Sequence, residues 1–395
     1  MRILINDHAG HPFQVQLSRA LARRGYEVLH TYCLLVQTPR GALAKKDNDP
    51  PGLNIEGISL SKPFNRYGLV TRALQERELG KLLVKQVEQF EPEVVVSANT
   101  PLGVQSVLLR KCRNMKIRFV FWVQDLLGVG IKKNVRKKLP IFGDIVGWFY
   151  ILIEELLLRK SDEVVVITED FCPIMNKSRV FDSKVHVIYN WAPLEEVPVL
   201  PKSNLWSRKH GLDKKFCLLY SGTLGMKHNP DLLLKLAAKF KKYDDVLVVV
   251  VTEGLGADFL KEQKMRNGFD NLVLMPFQPF EDMPMVLASA DILLAILEPD
   301  AGIYAVPSKV LTSLCAKRSL LLAVPPENLA ARIVKNSKSG IVVPPSESEQ
   351  FVDAAMKLFD DSELRSFLAT NGRKYAEETF DIEKITDWFE KIIHS

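Results

Sequence analysis

The stretch Phe216-Cys217-Leu218-Leu219-Tyr220-Ser221-Gly222-Thr223-Leu224-Gly225-Met226-Lys227-His228-Asn229-Pro230 reads as an apolar strand, a turn with two glycines and a lysine, and the start of a helix. A turn of this kind offers free backbone N–H groups and the positive end of a helix dipole beside an ammonium, which suits a diphosphate. The spacing GxxxxGK[ST] of a nucleotide-hydrolysing loop is absent. A capped turn with an exposed lysine is the plain alternative.

Outward from this stretch, short apolar runs alternate with amphipathic ones along the whole chain, the pattern of doubly wound parallel sheets. The first half predicts strands at Arg2–Asn6, Glu27–Tyr32, Val94–Ala98, Ile117–Val123, Glu163–Thr168 and Val185–Tyr189. The second predicts Phe216–Ser221, Val246–Val251, Leu272–Met275, Ile292–Ile296, Ser319–Val324 and Gly340–Val343. Between them Asn190–Ser203 carries three prolines and no periodicity, so it reads as the linker. The expected organisation is α/β: a Rossmann-like domain over residues 1–192, a second over 204–378, and a helix over 379–395 returning to the first. That helix shows Ile385, Trp388, Phe389 and Ile392 at helical spacing, which predicts that all four are covered. Two such domains would leave a cleft between their strand ends, and ligands of open α/β sheets bind in the loops after the strands.

With 395 residues, 47% of them hydrophobic and 25% charged, the chain has the composition of a folded globular protein. Five scattered cysteines without a CxxC fit buried thiols better than a disulfide framework or a zinc site. No signal peptide or membrane span is expected, because a strand starts at Met1 and no uncharged run reaches about 18 residues. The net charge of +6 is concentrated: residues 111–160 hold eleven Lys and Arg against four acids, so the rest is nearly neutral. Within that segment Lys132, Lys133, Arg136, Lys137 and Lys138 precede an apolar stretch containing Trp148 and Phe149. Basic residues beside aromatic ones predict contact with an anionic membrane surface; the alternative is a basic loop over a buried helix. No base-reading module supports nucleic acid as a partner.

Other loops carry candidate chemistry. Asp7-His8-Ala9-Gly10-His11-Pro12 follows the first strand, and its glycine allows close approach to a phosphate or sugar, or is a plain turn. Asp300-Ala301-Gly302 leads to Pro307-Ser308-Lys309 at another helix start, where Ser308 is placed to cap the helix and Lys309 lies beside it. Asp125 ends the strand FVFWV and suits a base or a ligand for sugar hydroxyls, or a helix cap. Asp47-Asn48-Asp49 is a DxD, the pattern that holds a metal-diphosphate in other sugar-transfer enzymes, but it does not follow an apolar strand.

Taken together, GHPFQVQLSRALARRGYEV, FWVQDL, VIYNW, YSGTLGMKHNPD, LMPFQPFEDMPMVLASADILLA and PSKVLTSLCAKR resemble the retaining family 4 glycosyltransferases of the GT-B fold, over nearly the whole length. The likeness is nearest to the bacterial branch that adds an amino sugar such as N-acetyl-L-fucosamine during O-antigen or capsule synthesis. It implies two Rossmann-like domains facing a central cleft. For the donor it implies Gly10, Gly222, Thr223, Lys227, Glu253, Phe277, Gln278, Asp300, Ala301, Gly302, Ser308, Lys309 and Thr312. Asp125 and Lys227 would be catalytic, and His8, His11 and Asn99 would lie on the acceptor side. Three positions depart from the pattern. Gln124 replaces a histidine, Thr223 an arginine, and Thr312 a glutamate that usually grips the ribose.

The implied reaction is sugar transfer with retention from a UDP-sugar to a lipid-linked saccharide of the undecaprenyl-diphosphate type, in surface-polysaccharide synthesis at the inner face of the cytoplasmic membrane. Charge develops on the leaving diphosphate, and lysines with helix N-termini meet it without a cofactor or metal. A nucleotide-sugar epimerase of GT-B-like fold is the alternative. It would need acid and base carboxylates and no membrane element.

Overall fold

In the computed structural model, strands with both faces covered build one parallel sheet in each half, as their continuous Val, Ile and Leu runs require. The structure describes residues 1–35, 41–61, 69–98, 100–138, 142–225, 228–297 and 307–395, with backbone alone at 69–72, 133–134, 136–138 and 142. The first half contains β1 (Arg2–Asp7), β2 (Glu27–Cys33), β3 (Leu53–Ile58), β4 (Val94–Ala98), β5 (Arg118–Val123), β6 (Glu163–Val166) and β7 (Val185–Val187). Their order is β3-β2-β1-β4-β5-β6-β7. The second contains β8 (Phe216–Ser221), β9 (Val246–Val251), β10 (Leu272–Met275), β11 (Ile292–Ile296), β12 (Ser319–Ala323) and β13 (Gly340–Val343), in the order β10-β9-β8-β11-β12-β13. In each sheet the order reverses beside the first strand, between β1 and β4 and between β8 and β11. Loops diverge at such a switch point and leave room for a ligand.

The expected strands recur within two residues at either end, but the sequence reading omitted β3. It is an edge strand whose Asn54, Glu56 and Gly57 interrupt the apolar pattern, and among the described residues it pairs with β2 alone.

One compact unit comprises Met1–Asn190 with Ile382–Ser395, and the other Trp191–Asp381. The proline-rich segment is tied to the second unit: Arg373 donates to the Val197 carbonyl at 3.1 Å and Arg318 to that of Leu200 at 3.0 Å. The C-terminal helix (Ile382–His394) packs on the first helix (Pro12–Arg23). Arg24 binds Glu383, Asp387 and Glu390 at 2.8, 2.7 and 2.6 Å. Phe389 lies 4.8 Å from Trp122, ring centre to ring centre. Trp388 corrects the expectation: it is 46% exposed, and the buried stripe runs through Ile385, Phe389, Ile392 and Ile393. Among the described residues, no helix is long and apolar enough to cross a membrane.

Candidate active site

In the first unit the β1 loop is built around Asp7, which is fully buried. Its carboxylate accepts the Ala9 N–H at 3.1 Å, the His11 N–H, and the His11 ring through Nδ1 at 3.3 Å. The Gln14 amide, oriented to donate, lies 2.7 Å from both carboxylate oxygens. Gly10 makes this tight return possible with φ +77°, and its carbonyl accepts the Gly41 N–H at 2.9 Å. Burial pushes the Asp7 carboxyl up, yet the charge and hydrogen bonds of His11 outweigh it and hold it below its usual value. His11 is the mirror case. Burial disfavours its charge, but Asp7, with Asp125 beyond, raises the imidazole above its ordinary value. His8 is buried in the same loop, and Asn99 lies outside the described residues.

Asp125 follows β5 and is reached by solvent, but the surrounding protein raises its carboxyl above the usual range, with His11 opposing. Beside it the Glu154 carboxylate, 5% exposed, accepts the Gly128 N–H at 3.1 Å at the start of the basic helix (Leu127–Lys138). Burial pushes Glu154 up to about 7, with Asp125 adding to the shift. Asn190 donates to the Gln124 side chain at 2.6 Å, so the glutamine is tied into the fold.

The DxD is divided. Asp49 is buried against Arg19 at 2.8 Å and fastens the loop to the first helix, leaving no pair of carboxylates for a metal. The described residues contain no group of three metal-ligating side chains.

The basic segment is helical. It packs on the aromatic helix (Phe142–Lys160) at backbone distance, because Gly147 faces Lys132 and Gly128 faces the Ile151 backbone; an added Cβ would meet them at 2.5 and 3.0 Å. Lys132 Nζ lies 5.7 Å from the Trp148 ring centre. Among the described residues Ile145, Trp148 (57% exposed), Phe149 (59%), Leu152 and Leu156 of the aromatic helix form an exposed apolar stripe. The side chains of Lys133, Arg136, Lys137 and Lys138 lie outside the described residues.

In the second unit Gly222 ends β8 with φ +129°, and an added Cβ would meet Lys309 Cε and Nζ at 3.2 Å. Lys309 Nζ donates to Tyr220 Oη at 2.6 Å and sits 4.0 Å over the Tyr220 ring; Tyr220 Oη in turn donates to the Thr223 carbonyl at 2.7 Å. Among the described residues no carboxylate pairs with Lys309, and burial alone lowers it to about 7. Burial likewise raises Tyr220. The Glu253 carboxylate accepts the Phe277 N–H at 3.1 Å, and Gln278 accepts the Trp206 indole N–H at 3.0 Å. Ser308 is the first helical residue of Ser308–Cys315 and not its cap, because Pro307 holds that position. Thr312 Oγ1 donates to the Ser308 carbonyl at 3.4 Å. Lys227, Asp300, Ala301 and Gly302 lie outside the described residues.

Residues 11–191 match the family described as Glycosyl transferase 4-like domain, and residues 202–375 match Glycosyl transferases group 1. The chain is a GT-B glycosyltransferase. An uncharacterized glycosyltransferase of Methanocaldococcus jannaschii is 20% identical over 75% of this chain and 72% of its own length. The putative colanic acid biosynthesis glycosyl transferase WcaI of Escherichia coli K12 is 21% identical over 69% of this chain and 66% of its own. The crystal structure of HepE from Anabaena, in complex with UDP and glucose, is 15% identical with a TM-score of 0.74, covering 100% of this chain and 99% of that one.

Three residues of the candidate site were not singled out from the sequence: Asp7, Tyr220 and Glu154. Asp7 carried a signal, a carboxylate at a strand end four residues before a histidine. Tyr220 and Glu154 act on partners 89 and 26 residues away, which no local pattern reveals.

Proposed function

We propose that this glycosyltransferase moves a sugar, with retention, from a UDP-sugar to a lipid-linked saccharide at an anionic membrane surface. The observation that carries the reading is the exposed apolar stripe of the aromatic helix, packed beside a helix with five basic residues. Such a pair suits an interface where apolar side chains enter the bilayer and lysines meet its phosphates, each basic residue contributing about 1 kcal/mol. On the donor side, no carboxylate among the described residues pairs with Lys309, and a diphosphate at the Gly222 turn would provide a counter-charge. The complex of HepE with UDP and glucose supports a UDP-sugar, and the name of WcaI supports a polysaccharide product. Lys309 and Lys227 meet the charge of the leaving group, so the reaction is proposed to run without a resident metal. An N-acetylated amino or deoxyamino sugar is the proposed donor sugar, on the sequence resemblance.

Two measurements test this. UDP release from a panel of UDP-sugars should require a lipid-linked saccharide and survive EDTA; loss of activity in EDTA with recovery in Mn²⁺ would overturn the metal-free reading. In flotation, the protein should rise with anionic vesicles at low salt and release at high salt. A variant with Trp148 and Phe149 changed to serine should stay down, with its melting temperature kept because both side chains are exposed. Failure of the wild-type protein to float would point to a soluble acceptor.

A further inference from the structure

A buried carboxylate is costly unless its hydrogen bonds are complete, and Asp7 is completed by its own loop. It takes two N–H groups of the turn, the His11 ring and the Gln14 amide, so backbone and ring of His11 are both fixed by one group. Packing sets where that ring stands. His11 lies 5.5 Å from Phe13, ring centre to ring centre, and Phe13 lies 5.7 Å edge-on from Trp122, the β5 residue three positions before Asp125. The β1 loop is thereby held beside the end of β5, and His11 and Asp125 act on each other electrostatically.

We propose that Asp7, His11 and Asp125 form one unit on the acceptor side: Asp7 fixes His11, and His11 keeps the Asp125 carboxylate ionised to receive the proton of the acceptor hydroxyl. This deepens the sugar-transfer reading and rests on it. In the step, the bond from the anomeric carbon to the diphosphate oxygen breaks, its electron pair leaving on the diphosphate. The acceptor oxygen bonds to that carbon on the same face, so the configuration is kept, and the acceptor proton passes to Asp125. Asp125 is the catalytic residue; His11 and Asp7 are positioning residues. The charged groups around them are His30 behind Asp7, Arg19 beside His30, and Glu154 beside Asp125. Burial keeps His30 neutral, at about 4, so it adds no competing charge near pH 7. The Asp125 charge raises Glu154, and His11 favours Asp125 ionisation against the effect of burial.

The experiment is a nitrogen-detected NMR titration of the histidine rings in the full-length protein without substrate, His11 being assigned from the His11→Gln spectrum. His11 should titrate above the ordinary 6.5. Asp125→Asn, a change at an accessible side chain, should lower its midpoint, and Asp7→Asn should lower it further. An ordinary midpoint that Asp125→Asn leaves unmoved would overturn the proposal, whatever the outcome of the UDP-release assay. Where that assay succeeds, His11→Gln should lose about tenfold in kcat/KM at acidic pH, and the deficit should close as pH rises and Asp125 ionises unaided. A deficit equal at all pH values would assign His11 a merely structural role.

Discussion

The two loops that follow the first strand of each sheet solve the same problem in opposite ways. After β1 the buried charge is matched before any substrate arrives: Asp7 is saturated by N–H groups and an imidazole. After β8 the charge is left open among the described residues: Lys309 has a phenol and an aromatic face there but no carboxylate. A matched charge stabilises the fold, whereas an open one costs stability and is repaid only when an anion binds. The first loop therefore looks like a positioning device and the second like a receptor.

The sharpest break between them is expected at Lys309. Lys309→Ala removes a cationic partner of a leaving diphosphate and should lower turnover about a hundredfold or more, while the urea midpoint of the apo protein should not fall. Binding should also carry a proton signature. At pH 8 the free lysine is mostly neutral, and a bound diphosphate restores its charge. Calorimetry of UDP binding in buffers of different ionisation enthalpy should then show proton uptake, and Lys309→Ala should abolish it. Normal turnover with no uptake would remove Lys309 from the donor site.

Asp7 should behave in reverse. Asp7→Ala leaves the Ala9 and His11 N–H groups without their acceptor, at a cost of about 1 to 3 kcal/mol. Urea unfolding of the first unit should register that loss, and UDP affinity should hardly change. A stable Asp7→Ala protein would mean that water replaces the carboxylate freely and that the loop is not held by it.

The sequence made the second loop easier to read than the first. Gly222 and Lys309 each stand at a strand-to-helix turn, where backbone geometry and charge coincide within a few residues. The Tyr220 partner of Lys309 was not legible, because Tyr220 reaches it across 89 residues. Trp388 fails for a related reason: helical periodicity gives the width of an apolar stripe, not which edge its neighbour covers. The exposure of Trp148 and Phe149 was expected from the basic residues beside them and not from periodicity, since a buried helix and an interfacial one share one apolar pattern. The parallel strands were legible because burial on both faces leaves an unbroken run, and β3 escaped because an edge strand does not need one.

The smallest expected effect is a pair of pH slopes of opposite sign. Glu154 in the first unit rises from 4.5 to about 7 on folding. The folded protein then binds more protons than the unfolded chain between those values, so this contribution is full below pH 4.5 and is lost as pH climbs through about 7. Lys309 in the second unit falls from 10.5 to about 7. Between those values the unfolded chain binds more protons, so stability is gained as pH climbs from about 7 to about 10.5. Each slope is at most about 1.4 kcal/mol per pH unit. Urea unfolding of Glu154→Gln and Lys309→Met against the wild type, from pH 5 to pH 10, isolates the two groups because all other titrations cancel in the difference. Glu154→Gln should flatten only the acidic limb and Lys309→Met only the alkaline one. Asp125→Asn should narrow the Glu154 window, since the Asp125 charge helps to raise that carboxyl. A variant of Lys309 that flattened the acidic limb as well would show that Lys309 and Glu154 are coupled, and the two slopes could no longer be assigned to separate units.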